Sequence, residues 1–418
     1  MSTRAFCFTF TLLLAMGLRV RAEDAALTRL RETLAALRYD QRGNPDPDAH
    51  WEYYGPSEDL REASPTLDTA KHLLREWIEQ RLAQSNANVD ERALAAQLNE
   101  DLRRAKLFCR RTTADDAPDH CRYELHDWDP MGFVNPEIDL SRPRRSVLVV
   151  RAGLGILCGT DMSAYAYEWR DAHWQRFWQS EQPVVDGVEY RPQYIDGVRV
   201  SAADKSTGAR LVMTLGNYAW CQSNWYPAYF RVWRASRDSS AKLLFDAEEP
   251  AFLGYEPVMA GRVHVDGFHF EYYAGSIDHG NTMTRTVTRH YRVSGDAVTR
   301  IEPIALDPFA FVDELLARPW DESRNYIAAE NVATIAELHA KLRTGHANAD
   351  EPDVRRCGQG KELWQVGLKL ELDDKPLGMN YFIVAWRPPQ HFELVAVEVT
   401  PRAGCTGGPP GSREFASR

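Results

Sequence analysis

The hydrophobic positions follow a helical period in the N-terminal quarter of the chain. Leucines recur at steps of three and four from Leu27 to Leu37, and apolar residues do so again from Leu73 to Leu82, which is the spacing of one buried helix face. A third run, Ala93 to Leu102, follows the segment Asn88 to Glu91, which is typical of a helix N-cap. The stretch Gln41–Ser64 is rich in Pro, Gly and Asp and predicts a long loop. The pattern therefore predicts three helices.

After Cys121 the period changes to alternation, and one unit occurs four times. Each unit is a strand with an aromatic residue and an arginine near its end, then a turn, then a second apolar run, and this order is typical of a β-hairpin. The first strands of the units are Ser163–Arg170, Pro227–Arg234, Val287–Val293 and Tyr381–Arg387. Their partner strands are Trp174–Trp178, Lys242–Phe245, Val298–Ile301 and Phe392–Val399.

Further strand-like runs accompany the first three hairpins, which are spaced by about 60 residues. These runs are Ser146–Val150, Val198–Ser201, Arg210–Leu215 and Arg262–Tyr273. Four strands in a period of this length are typical of a propeller blade. Helical runs at Phe309–Leu316 and Asn331–Leu342 separate the fourth hairpin from the third. The repeats either close into a ring or form an open meander packed against helices.

These patterns predict an α+β protein with a mainly antiparallel β body of propeller-like four-stranded repeats, preceded by an N-terminal helical region. The propeller comparison is architectural and carries no function of its own. The predicted boundaries are a signal peptide at 1–22, the helical region at 23–108, the β-repeat body at 109–306, a helical insert at 307–346, and a C-terminal β-hairpin region with a flexible tail at 347–418.

Residues 1–22 have the order of an export signal. A basic start ends at Arg4, an uncharged and mostly apolar run spans Ala5–Gly17, and Val20 and Ala22 occupy the −3 and −1 positions. An uncleaved anchor is the alternative, but a membrane-spanning helix takes about 20 apolar residues and this run is shorter. We therefore expect cleavage near Ala22, a periplasmic or secreted protein, and no stable membrane insertion.

The cysteines agree with an exported protein. Those beyond the predicted cleavage site are Cys109, Cys121, Cys158, Cys221, Cys357 and Cys405, and an even number in an exported chain favours disulfides. We predict pairing between neighbours: Cys109 with Cys121, Cys158 with Cys221, and Cys357 with Cys405. The second pair has a further argument, because Cys158 and Cys221 precede Trp169 and Trp233 by 11 and 12 positions and so occupy equivalent sites in successive repeats.

The charge pattern excludes one class of partner. The chain has 50 basic and 60 acidic residues and a formal net charge of −10, and its basic residues are interspersed with acidic ones. Nucleic-acid-binding proteins show basic stripes instead. The one basic cluster, Arg142–Arg145, is predicted to be a solvated loop. We expect no nucleic-acid partner.

Known catalytic motifs do not occur in the sequence. It has no zinc-protease, serine-hydrolase, phosphate-loop, dinucleotide or EF-hand motif, so no cofactor and no catalytic residue are predicted. The densest polar stretch is Val263–Tyr291, in which His269, Asp278 and His279 are the alternative metal ligands. One shared site is not favoured, because the positions of His264 and His269 differ by an odd number. Residues at such a spacing in a strand are predicted to face opposite sides of a sheet. We favour a long hairpin that turns at Gly275–Asn281 and has its polar face in water.

Aromatic residues around Cys221 are the predicted partner-binding surface. Trp220 and Trp225 flank this cysteine, together with Tyr218 and Tyr226, and exposed aromatic rings stack on sugars and serve as anchors at protein interfaces. By contrast, Trp169 and Trp233 stand at the repeat position and are predicted to be hairpin core.

The sequence therefore favours a non-enzymatic binding protein of the cell envelope that recognises a protein or glycan partner, as an inhibitor, immunity factor or envelope accessory protein does. The alternative is a periplasmic hydrolase whose site is assembled from distant residues, with a metal ion held in the His264–His290 stretch. Loss of partner capture on Trp225→Ala supports the binding protein, whereas bound metal that is lost on changing His269 or His279 supports the enzyme.

Overall fold

A computed structural model describes most of the chain in two compact units. One unit is Met1–Ser223 with Val232–Leu243, and the other is Asn224–Arg231 with Leu244–Arg418. The described residues are 25–34, 57–105, 107, 136–156, 159–181, 191–218, 225–236, 239–252, 259–275, 284–344, 347–349, 352–358, 362–372, 375–387 and 391–408. The predicted signal peptide lies outside them. Among the helices that are described, none is long and apolar enough to span a membrane.

Three helices open the first unit, as the leucine spacing predicts. They are α1 (residues 25–34), α2 (Ser57–Leu82) and α3 (Glu91–Arg104). Asp90 caps α3, where its side chain accepts a hydrogen bond of 2.8 Å from the amide of Ala93. The predicted loop Gln41–Ser64 is wrong in its last part, because α2 already begins at Ser57. The residues from Glu58 to Ala63 include Glu, Leu, Arg and Ala, which are strong helix formers, and they continue the helix through Pro65.

The β-strands form four antiparallel sheets. The first sheet is β1 (Pro136–Arg144), β2 (Val147–Ile156), β3 (Gly159–Arg170) and β4 (His173–Ser180); the second is β5 (Gln193–Val200), β6 (Arg210–Tyr218), β7 (Trp225–Ser236) and β8 (Ser239–Phe252); and the third is β9 (Met259–Val263), β10 (Gly267–Gly275), β11 (Thr284–Ser294) and β12 (Ala297–Ile301). In each of these sheets the strands are neighbours in chain order.

The fourth sheet follows three helices, as predicted from the two helical runs. The helices are α4 (Pro308–Ala317), α5 (Trp320–Ser323) and α6 (Val332–Thr344), and the strands are β13 (Ala347–Ala349), β14 (Asp353–Cys357), β15 (Leu363–Leu372), β16 (Lys375–Arg387), β17 (His391–Glu398) and β18 (Cys405–Gly407). The order is β17-β16-β15-β14-β18, and β13 also pairs with β15. Trp364, Phe382 and Phe392 pack against Phe311 of α4 in the core of this region.

All four predicted hairpins are present, and each forms two adjacent strands of a larger antiparallel sheet. They are β3–β4, β7–β8, β11–β12 and β16–β17. The predicted single run Arg262–Tyr273 is instead two strands, β9 and β10, joined by a turn at 264–266. The sheets as described are open, with edge strands of their own. The structure therefore shows four-stranded antiparallel sheets, and a closed propeller is not confirmed.

The helices of the first unit cover one face of the first sheet. Trp77 of α2 and Leu98 of α3 are completely buried in a core with Leu148, Tyr165 and Tyr167 of the sheet. Fully burying one such aliphatic or aromatic side chain contributes about 1.5–3 kcal/mol. This packing fixes the position of β3, and through it that of β4.

The basic cluster at the β1–β2 turn is solvated only in part, since Arg144 and Arg145 are exposed whereas Arg142 is half-buried. The guanidinium of Arg142 donates to the carbonyl oxygens of Ala87 at 3.1 Å and Val89 at 2.6 Å, and it pairs with the Glu91 carboxylate. Arg142 therefore ties the first sheet to the start of α3, where unpaired carbonyl groups in the α2–α3 turn accept its hydrogen bonds.

One predicted disulfide lies within the described residues and is confirmed. Cys357 on β14 and Cys405 on β18 are directly paired across the two strands, and their sulfur atoms are bonded. Cys109, Cys121, Cys158 and Cys221 lie outside the described residues, so their pairing stays a prediction.

The turn between β3 and β4 holds two non-glycine residues in left-handed backbone conformations. Asp171 has φ 46° and Ala172 has φ 61°, a region that costs L-residues roughly 1–2 kcal/mol. We expect Ala172→Gly to raise the free energy of unfolding by about 0.5–1 kcal/mol, because glycine adopts this conformation without strain. The measurement is urea denaturation. Ala297→Gly, an exposed strand position with ordinary φ, is the control and is expected to lower stability; a loss in both variants contradicts the prediction.

Candidate functional site

A cleft of about 370 Å³ lies beside the edge strand β4 in the first unit. Its lining residues come from β4, β7 and β8, and they are Arg176, Phe177, Trp178, Gln179, Trp233, Ser240 and Ala241. We call this the tryptophan cleft. Its volume falls at the lower end of the range of about 300–1,000 Å³ that is typical of small-molecule sites.

A β-bulge in the β3–β4 hairpin aims Trp178 into this cleft. Tyr167 pairs with Arg176, but Ala166 pairs with Trp178, so Phe177 is the extra residue on β4. Without the bulge, Arg176 and Trp178 would face the same side of the sheet, since they are two positions apart. With it, Arg176 lies on the helix-facing side with Tyr167, and Trp178 lies on the opposite side.

The two tryptophans form an edge-to-face pair. The ring centroids of Trp178 and Trp233 are 5.2 Å apart with an interplanar angle of 65°, which is a favourable aromatic geometry. Trp178 is 2% exposed and lies opposite the small side chain of Ala166, whereas Trp233 is partly exposed. Trp233, predicted to be hairpin core, therefore presents part of its ring to a ligand.

The indole nitrogen of Trp178 is buried and has no hydrogen-bond partner among the described residues. A buried donor left in this state costs about 1–3 kcal/mol. Trp77 and Trp174 share this state, but they lie in the helix-facing core. Trp178 is the one of these three that also lines the cleft, so a ligand oxygen can satisfy its N–H.

Polar contacts with α2 hold the guanidinium of Arg176 at the cleft. The Arg176 Nη1 donates to the Glu79 Oε1 at 2.6 Å, and the Tyr167 hydroxyl donates to the same oxygen at 3.3 Å. Burial, followed by the charge of Glu79, raises the pKa of Tyr167 well above its ordinary value, so this hydroxyl keeps its proton and donates. The ion pair is about one-third exposed, so it contributes little to the free energy of unfolding. Its main effect is to hold the Arg176 side chain in one position.

A second set of contacts anchors the end of β4. The Tyr165 hydroxyl donates to Glu181, and Arg75 of α2 donates to the same carboxylate. Burial, together with the charge of Glu181, raises the pKa of Tyr165 well above its usual value. Lys71 of α2 pairs with the fully buried Asp161 of β3 at 3.2 Å. The helix therefore holds the hairpin at several points along its length, which keeps the cleft preorganised.

The predicted partner-binding residues are only partly described. Tyr218 ends β6, is 8% exposed, and lies beneath the guanidinium of Arg191 at 3.9 Å from the ring centroid. Trp225 and Tyr226 open β7, but nothing is described of their side chains, nor of any part of Trp220. This surface stays a prediction. The sequence did not single out the Trp178–Trp233 pair, because the bulge at Phe177 that turns Trp178 toward Trp233 leaves no pattern in the alternation.

The histidines of the third sheet lie together on one face. The ring of His269 stacks on that of His290 with centroids 4.9 Å apart, and the ring of His264 is 6.2 Å from that of His269. The prediction that His264 and His269 face opposite sides is wrong, because the β9–β10 turn reverses the chain. Arg262 pairs with His269, and His264 shares the face of Arg262 two positions away.

The predicted metal ligands Asp278 and His279 lie outside the described residues. The long hairpin itself is present, since Gly275 of β10 pairs with Thr284 of β11. Within the described parts of the chain, no group of three or more His, Cys, Asp or Glu side chains is arranged to hold a metal ion.

Comparisons with known proteins identify no family. No family model matches the chain, and no curated protein matches it in sequence. Several solved structures share weak similarity, and two of them illustrate its extent. The first, an RGII complex of the protein BT0996, has 8% identity and a TM-score of 0.24 over 66% of this protein and 90% of the other. The second, a xylan beta-1,4-xylosidase from Bacillus Halodurans C-125, has 10% identity and a TM-score of 0.18 over 67% of this protein and 48% of the other. Such scores support no argument about fold or function.

Proposed function

We propose that this protein is an exported, non-enzymatic binding protein and that the tryptophan cleft binds a short segment of a glycan. The observation that carries the proposal is the edge-to-face pair of two tryptophan rings in one small cleft that polar residues also line. Aromatic rings stack on the apolar faces of sugars, and the exposed Ser240 hydroxyl in the lining of the cleft can hydrogen-bond to a sugar hydroxyl.

The shape of the cleft favours a glycan over a protein partner. Trp178 lines the cleft and is almost fully buried, so little of its ring is available to a broad protein surface. A sugar hydroxyl oxygen in the cleft can accept a hydrogen bond from the Trp178 indole N–H. The net charge of −10 also opposes binding of polyanions.

Binding is proposed rather than hydrolysis because of the groups that line the cleft. Glycosidases ordinarily act through a pair of carboxyl groups. The described lining residues include no carboxylate, and the nearby Glu79 is paired with Arg176. The Cys357–Cys405 disulfide supports export, because disulfides persist in oxidising compartments. The four-stranded repeat supplies the rigid scaffold that a binding cleft needs.

Replacing Trp233 by alanine is expected to weaken glycan binding by about tenfold or more, because it removes the exposed ring. The measurement is a glycan-array screen of the mature protein that includes peptidoglycan fragments, followed by titration of the best ligand by calorimetry. Trp178→Phe is expected to weaken binding as well, since it keeps an aromatic ring but removes the indole donor.

Tyr194→Ala is the matched control, because this aromatic residue on β5 is 37% exposed and does not line the cleft. It is expected to leave affinity unchanged. Equal glycan affinity in the wild type and both tryptophan variants contradicts the proposal. Capture of an envelope protein that depends on Trp225 instead favours a protein partner at the surface around Cys221.

A further inference from the structure

The histidine face of the third sheet is separate from the tryptophan cleft in sequence and in residues. His269 on β10 and His290 on β11 are direct neighbours across the two strands. Their rings are almost parallel, with an interplanar angle of 12°. Directly opposed side chains on antiparallel strands have Cβ atoms about 4.5–5.5 Å apart, so one small ion can reach both rings.

The alternation along β10 leaves this pair reachable from solvent. Phe268, Phe270 and Tyr272 point to the buried side of the sheet, and His269 lies between them on the opposite side. His269 and His290 are both partly exposed. They are therefore held by the sheet and keep part of their surface in contact with solvent.

A neutral imidazole has one ring nitrogen with a free lone pair, and this is the atom that binds a metal ion.

We propose that His269 and His290 together chelate a divalent transition-metal ion, with Cu²⁺ bound most tightly. Imidazole nitrogens suit copper, nickel and zinc, and copper stands highest in the affinity order of the divalent series. Rotation of the His269 ring about its Cβ–Cγ bond turns its edge toward the ring of His290, and nitrogen–metal distances of about 2.0–2.1 Å are needed at the shared point. Water fills the remaining positions, because the described residues supply no third ligand.

A hydrogen bond selects which nitrogen of His290 faces the ion. The Thr288 hydroxyl lies 2.9 Å from the His290 Nε2, and such a partner fixes the ring orientation of a ligand histidine. The His290 Nδ1 is therefore the coordinating atom. Thr288 itself is completely buried, so it cannot turn outward to release the ring.

The charged groups on this face set the strength of binding. Arg262 on β9 and Arg292 on β11 are exposed and carry the same sign as the metal, whereas Glu271 on β10 carries the opposite sign. Salt screens the charges of the exposed arginines, but these charges still repel the metal ion. With two protein ligands and this charge balance, we expect weaker binding than at a site with three or four protein ligands.

The test is a titration of the full mature protein with CuCl₂ in a non-chelating buffer, followed by calorimetry and electron paramagnetic resonance. The wild type is expected to bind one Cu²⁺ with a spectrum of two nitrogen ligands. His269→Asn and His290→Asn are each expected to weaken this binding by at least about tenfold. His173→Asn, an exposed histidine on β4, is the control and is expected to change nothing.

Equal copper affinity in the wild type and in both β10–β11 variants overturns the proposal. So does a site that is lost in His279→Asn but kept in His269→Asn. Far-ultraviolet circular dichroism melts of the metal-free variants check the fold, since both positions are partly exposed and asparagine is accommodated there. The outcome is independent of glycan binding, because no residue of the tryptophan cleft lies on this face.

Discussion

Replacing Glu314 by alanine is expected to lower the free energy of unfolding by about 3–5 kcal/mol, the scale for breaking a buried ion pair by removing one partner. Glu314 lies on α4 with its side chain 1% exposed. Its carboxylate accepts hydrogen bonds from Arg285 at 2.8 Å and Arg300 at 3.1 Å, and also from Arg289 and Arg318. Removing it leaves four guanidinium groups facing one another around an empty position.

The electrostatics of this cluster show how strongly the arginines depend on Glu314. Burial lowers the pKa of Arg285 and of Arg289, but the nearby carboxylates more than reverse this effect, so both are raised above the usual value. Asp313 pairs with Arg285, Glu249 lies 3.6 Å from Arg289, and Glu322 pairs with Arg318. These three acids leave Arg300 without a carboxylate partner among them once Glu314 is gone.

Urea denaturation of Glu314→Ala, Glu314→Gln and Glu337→Ala measures the effect. The glutamine variant keeps the shape and one acceptor oxygen, so we expect a smaller loss than in the alanine variant. Glu337 on α6 forms an exposed pair with Lys341, and its removal is expected to change nothing measurable. Equal stability of Glu314→Ala and Glu337→Ala contradicts this account of the cluster.

The sequence predicted the hairpins because each of them repeats a local pattern. The alternation in Ser163–Arg170 or Val287–Val293 is set by which face of the strand is buried, and neighbouring strands pair through short turns. Closure of the sheets depends on contacts between distant segments, which no local pattern records. The helical region followed from leucine spacing, but the start of α2 at Ser57 was hidden by the prolines around it.

The candidate sites were less predictable than the fold, for two physical reasons. At Phe177 a single extra residue reverses the direction of the next side chain, so Trp178 faces the cleft where strict alternation would turn it away. At His264 the turn between two strands exchanges odd and even positions, so counting along the chain gave the wrong face. Both effects depend on where a strand begins and where its register shifts. These features are set by pairing with other strands and are not visible in the local sequence.

Removing the Cys357–Cys405 disulfide is expected to lower the free energy of unfolding by about 4 kcal/mol, from the loop-closure entropy of a crosslink at this spacing. The two cysteines are separated by 48 positions in the chain. The bond holds β18, a strand of three residues, against β14. Without it, the C-terminal strand has little else among its described contacts to keep it on the sheet.

The double variant Cys357→Ala, Cys405→Ala separates this bond from any other. Reductant acts on every disulfide in the chain, so the comparison is between the melting curves of the wild type and the variant, each with and without dithiothreitol. The wild type is expected to lose stability in reductant by more than the variant does, and the difference measures the Cys357–Cys405 bond. A loss of stability in reductant that persists in the double variant measures the remaining disulfides. These include the predicted Cys158–Cys221 bond, for which we expect a loss of about 2–5 kcal/mol. Identical curves for the oxidised wild type and the double variant would show that β18 is held by its strand pairing alone.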